Sequence, residues 1–214
     1  MKTTEKYLNG LKEAYLKDYT EEEREDWGDE DIGEALKEQW EYFEKNKHGA
    51  SGQDIAALKA LYPQIPNALI ELLEYADGTY WRKYGKEKVA LLVLGSDIEE
   101  YGYYLLSSKE MVKNRNVAAK YYSGYINREF EADGVKMDDR IIGDSAAVKW
   151  LHFSDCMNNG GTSQLFVDFT PSEKGKVGQI VRFLHDPDSF KVIAGSFDEY
   201  LEMLMKNGYD FVGV

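Results

Sequence analysis

One cysteine, Cys156, stands among 214 residues, so no intrachain disulfide can form and the fold must hold through packing. Proline is scarce too, at positions 63, 66, 171 and 187, and interrupts the chain at few places. The three histidines, His48, His152 and His185, stand in no His-Glu-x-x-His arrangement, and a lone cysteine cannot supply Cys-x-x-Cys. Neither Gly-x-x-x-x-Gly-Lys-Ser/Thr nor Gly-x-Gly-x-x-Gly occurs, so no phosphate-cradling loop is expected. The longest apolar run, Val89 to Leu94, is far short of the ~20 residues of a membrane span, and Met1-Lys2-Thr3-Thr4-Glu5 leads into no signal-peptide core. A cytoplasmic protein without a membrane partner is the expectation. Positive charge is also short: 26 Lys and Arg face 39 Asp and Glu, a net charge of -13. That argues against nucleic-acid binding, which needs clustered cations, and suits a basic protein partner.

What is present begins with acid, unevenly spread. Residues 1 to 47 carry 15 acids against 8 bases, and segment 18 to 34 holds ten acids with a single base, Arg24. Beyond it Ile32, Ala35, Leu36, Trp40 and Phe43 recur at helical steps and predict a face that packs on the rest of the protein. His48-Gly49-Ala50-Ser51-Gly52 then marks a junction. The chain therefore divides into an acidic helical N-terminal extension, 1–50, and a domain over 51–214.

Within that domain a helix is expected from about Gln53 to Leu61, with Pro63 interrupting. A second helix begins with Pro66 at its first position and runs to a Gly78 cap. Two strands follow, Lys88 to Leu94 and Tyr101 to Leu106. Ser107 with Glu110 forms a capping box opening a helix that could extend from Lys109 to Asp133, ended by Gly134. After Trp150, short alternating runs separated by Asn158-Asn159-Gly160-Gly161, by Thr170-Pro171 and Gly175 to Gly178, and by His185-Asp186-Pro187-Asp188 predict an antiparallel meander. Phe190 to Ala194 adds a strand, and Ser196, with Glu199 three residues on, caps a closing helix. The fold class is α+β, a mainly antiparallel sheet flanked by helices.

These landmarks, in order, resemble the SUKH superfamily, the Smi/Knr type of bacterial immunity protein. The resemblance rests on Leu61-Tyr62-Pro63-Gln64-Ile65-Pro66, Leu72-Leu73-Glu74-Tyr75-Ala76-Asp77-Gly78, Leu105-Leu106-Ser107 with Glu110, Trp150-Leu151-His152-Phe153, Leu165 to Pro171, Gly175, Gly178-Gln179-Ile180 and Ser196 to Leu201. It covers residues 51 to 208, and the acidic extension departs from the minimal family pattern. It implies a SUKH-like fold in which Pro66, Gly78, Trp150, Asp168, Gly178, Ser196 and Phe197 are mostly framework. It also implies a protein that occludes a cognate polymorphic toxin, often a nuclease, by stoichiometric binding, without catalysis or cofactor.

Candidate chemistry in the residues themselves is thin. His152, Asp155 and Cys156 suggest a thiol and base, but His152 and Cys156 are too far apart along an extended strand to bond directly. Cys156 reads as a small packed residue near a turn, and His152 as facing the opposite side of its strand from Leu151 and Phe153. An alternative function is a small hydrolase or metal-dependent enzyme built from His152, Asp155 and Asp168, and another is a regulatory scaffold like fungal superfamily members. Sixteen tyrosines offer amphipathic contact area. The candidate partner-binding residues are Tyr101, Tyr103, Tyr121 and Tyr122 with the acids Glu21, Glu22, Glu23, Glu25, Asp138 and Asp155.

Overall fold

The computed structural model describes residues 1–18, 32–99, 101–158 and 161–213. The expected meander is its centre: β5 (Trp150–Asn158), β6 (Gly161–Asp168), β7 (Gln179–Leu184) and β8 (Ser189–Ala194) pair antiparallel in sequence order. Two short strands extend the sheet, β3 (Tyr104–Leu105) antiparallel to β5 at one edge and β4 (Lys136–Met137) parallel to β8 at the other, giving the order β3-β5-β6-β7-β8-β4. The strands at Lys88 to Leu94 and Tyr101 to Leu106 are shorter than expected. A hairpin of β1 (Arg82–Tyr84) and β2 (Glu87–Val89) stands apart as a two-stranded sheet, and Leu94 meets Tyr103 only as an isolated bridge.

One face of the sheet carries the main core. Leu151, Phe153, Leu165, Val167 and Ile180 meet α3 (Gly52–Leu61), α4 (Asn67–Tyr75) and α8 (Phe197–Lys206), in a cluster that includes Ile55, Leu58, Leu69, Leu73 and Leu201. α1 (Thr3–Tyr15) and α2 (Ile32–Asn46) join the same core. Tyr7, Leu11 and Tyr15, four apart, align on one face of α1, while Leu36, Trp40 and Phe43 do so on α2 as the spacing predicts. The Tyr7 and Tyr15 hydroxyls donate to the carbonyls of Val93 (2.6 Å) and Leu92 (2.7 Å), so these buried tyrosines tie the extension to the domain's backbone.

The helix starts follow local chemistry. Ser107 and Glu110 form the capping box of α5 (Ser108–Lys113), and the Ser196 hydroxyl accepts from the Glu199 N–H at 3.1 Å to open α8. Pro66 is the N-cap of α4, one position before the first-turn place expected; its extended ψ of 134° excludes it from the helix. Gly78 has φ +91°, and a Cβ there would meet the Ser107 N at 2.7 Å, so glycine is required where these segments cross.

The long helix expected over 109–133 is broken. α5 ends at Asn114, α6 (Val117–Tyr121) and α7 (Ser123–Ile126) are single turns, and a 3-10 turn (Glu131–Asp133) ends at left-handed Gly134. Asn114, Asn116 and Gly124 are poor helix formers, and tertiary packing holds the segment as short turns over the sheet's second face. There Trp150, Phe166, Val181, Phe183, Phe190 and Val192 form a smaller core with Ala118, Ile126 and Ile141, against which Tyr122 and Tyr125 pack.

Candidate binding surface

The second face owes its polar features to a bulge in β5. The register shifts between His152 and Ser154, reversing the alternation of side chains beyond it. Residues three apart in a regular strand face opposite ways; here His152 and Asp155 share a face, with the imidazole Nε2 2.7 Å from Asp155 Oδ1. The Asn114 amide lies 3.2 Å from His152 Nδ1, so the bonds fit the tautomer with its proton on Nε2. Gln164 donates to the same Asp155 oxygen at 2.9 Å and accepts from the Tyr122 hydroxyl at 2.6 Å. The result is one connected polar network, Asn114–His152–Asp155–Gln164–Tyr122.

The aromatic cover stops at this network. Tyr104, directly opposite Asp155 in the register, is half-buried, as are Asp155, Gln164 and Tyr122, and the Tyr104 ring rests against Tyr80 at 4.8 Å. Tyr122 meets Tyr125, and Tyr125 meets Phe130. A continuous aromatic and polar stripe thus runs from Tyr80 through Tyr104, Asp155, Gln164 and Tyr122 to Phe130, flanked in sequence by exposed Trp81 and Tyr121. Apolar area interleaved with hydroxyl and amide groups is the composition of a recognition surface.

The residues expected to touch a partner fall in different places. Tyr121 is exposed, with the Lys120 ammonium 4.8 Å from its ring centroid. Tyr101 is half-buried against the main core, and Tyr103 is fully buried, which removes it from any surface. Tyr122 belongs to the stripe, though its ring is an anchor of the second core. Asp138 and Asp155 are not solvated loop acids. Asp138 receives the Arg140 guanidinium and the backbone N–H groups of Arg140 and Val192; burial alone would raise its pKa, but these bonds outweigh it and hold the carboxyl at about 2. Glu21, Glu22, Glu23 and Glu25 lie outside the described residues. Tyr80, Trp81 and Gln164 were not singled out by sequence, and only a bulky aromatic pair just beyond the Gly78 turn hinted at the first two, whereas Tyr104 belongs to the tyrosine-rich run 101–104 that supplied Tyr101 and Tyr103 as expected contacts.

Of the candidate catalytic groupings only His152 and Asp155 meet, while Cys156 and Asp168 lie elsewhere. His152 sits with the second core, whereas Cys156 is buried in the main core on the opposite face, as the small packed residue expected, two positions before the end of β5 at Asn158. Burial, and then the neighbouring Asp155 charge, push the thiol up to about 12, so it is a packed, unreactive group. Asp168 is at the far end of β6 from Gln164, accepting from the Thr170 N–H (2.8 Å) and the Gln179 amide (2.9 Å). Its burial pushes the carboxyl up to about 6 against those bonds. Among the described residues no three His, Cys, Asp or Glu side chains converge as metal ligands, and no helix is long and apolar enough to cross a membrane.

Compared with known proteins, residues 49–203 match the family model described as SMI1 / KNR4 family (SUKH-1). No curated protein matches the chain.

Proposed function

From the chain's membership of the SMI1/KNR4 family (SUKH-1), commonly immunity proteins for polymorphic toxins, we propose that it binds and neutralises one cognate toxin by stoichiometric occlusion. The family match carries this reading. The aromatic and polar stripe supports it, since occlusion needs anchors rather than catalytic groups. Tyr104, Tyr121 and Tyr122 supply contact area, Asp155 and Gln164 supply directed hydrogen bonds, and the acids of segment 18 to 34 steer a basic toxin domain in the cytoplasm. Pro66, Gly78, Trp150, Asp168, Gly178, Ser196 and Phe197 form the framework of the domain over 51–214. The extension over 1–50 acts both as a cap on the core and as a partner arm.

The test is co-expression with candidate toxin modules, beginning with any encoded beside this protein's gene. Growth should be restored and a one-to-one complex recovered, with protection weakened in Tyr104→Ala and Tyr121→Ala variants that still fold. Undiminished toxicity in the presence of soluble, folded protein would sink the proposal.

A further inference from the structure

The β1–β2 hairpin carries charge of the wrong sign for its surroundings. Lys83 and Lys88 are direct cross-strand partners and both are exposed, while Lys86 stands exposed at the turn, on a chain of net charge -13. None of the three forms an ion pair with an acid among the described residues. Like charges placed opposite each other disfavour strand pairing, so the arrangement is costly for the fold. Strand alternation explains its presentation: Tyr84 and Val89 are buried and Arg82 points inward, so Lys83 and Lys88 project outward. The base is rigid. Arg82 bonds the buried Asp77 carboxylate at 2.8 Å, Asp77 in turn accepts from the Ser108 N–H at 2.7 Å, and the Tyr84 hydroxyl donates to the Gly78 carbonyl at 2.5 Å.

Beside these lysines stands Trp81, 62% exposed and at φ 47°, a backbone region that bulky side chains rarely occupy. An exposed tryptophan on strained backbone, next to unpaired lysines held on an anchored hairpin, has the makings of a preorganised contact.

We propose that this hairpin docks an acidic segment of a protein partner, with Trp81 packing on its apolar side chains while Lys83, Lys86 and Lys88 pair with its carboxylates. Three lysines match the few carboxylates of a short acidic segment and exposed Trp81 offers its side chains apolar contact, whereas the continuous phosphates of a nucleic acid would run past the hairpin onto a strongly acidic chain. The inference stands apart from the toxin reading and holds for any partner bearing such a segment.

Fluorescence anisotropy on the full chain tests it, with three labelled probes: a peptide alternating glutamate and leucine, one alternating lysine and leucine, and single-stranded oligothymidine. The glutamate peptide should bind saturably, weaken with salt, and lose about tenfold or more in affinity with Trp81→Ala or Lys83→Glu. The lysine peptide should show no such loss. Lys83→Glu also supplies a control for folding, because it replaces a repulsive cross-strand pair by an attractive one and should raise thermal stability while binding falls. Absence of glutamate-peptide binding, binding indifferent to both substitutions, or tighter binding of the oligonucleotide through the same residues would overturn the proposal.

Discussion

Two carboxyls show how placement decides a residue's contribution. Asp138 and Asp168 are indistinguishable by type, yet hydrogen bonds hold the first at about 2 while burial raises the second to about 6. For Asp168 the folded state binds more protons than the unfolded chain, whose carboxyl titrates near 3.8, so its contribution to stability falls as pH rises from about 4 to about 6. Between pH 4.5 and 7 the loss should be roughly 2 kcal/mol. Asp168→Asn should remove that component, which urea melts of both proteins at the two pH values would measure. An unchanged slope in the variant would show that the carboxyl is already ionised when buried.

At the scale of elements, capping and packing make separable contributions. Ser107 closes a capping box whose Glu110 also accepts from the Ser107 hydroxyl at 2.6 Å, and α5 is only six residues long. Ser107→Ala should cost about 1 kcal/mol, read from the denaturation midpoint. The N-terminal helices depend on packing instead. Trp40 is buried and stacks on Tyr15 at 5.4 Å, linking α2 to α1, so Trp40→Ala should cost about 3–5 kcal/mol. Because α1 shares the main core and its Tyr7 carbonyl accepts from the Tyr209 hydroxyl at 2.9 Å, helical circular dichroism and near-ultraviolet signals should melt together. Two separate transitions would show that the extension folds independently.

At the scale of the whole molecule, charge is the property that reaches furthest. An excess of 13 negative charges creates a field that accelerates encounter with a basic domain, and salt screens it over a Debye length of about 8 Å at physiological ionic strength. Neutralising Glu21, Glu22, Glu23 and Glu25 together should slow association with a basic toxin severalfold at low salt and change dissociation little. Stopped-flow rates at two salt concentrations check this. Rates indifferent to both salt and the substitutions would remove the acidic segment from the encounter.

Much of the architecture was legible because it rests on local rules. Turn residues at regular intervals after Trp150 specify the meander, Ser107 and Ser196 mark helix starts, and the spacing of Leu36, Trp40 and Phe43 identifies a packed face. Each of these depends on residues within a few positions of one another. The candidate surface was hardly legible, since it depends on distant contacts. The bulge after His152, which has no clear sequence signature, sets which side chains share a face and so brings His152 to Asp155 and Gln164. Burial took Tyr103 out of consideration and drew Asp138 into internal bonds, while the tertiary path of the backbone left Trp81 exposed. Periodicity and capping act along the chain and determine elements; exposure and the meeting of side chains from different elements exist only once those elements have packed.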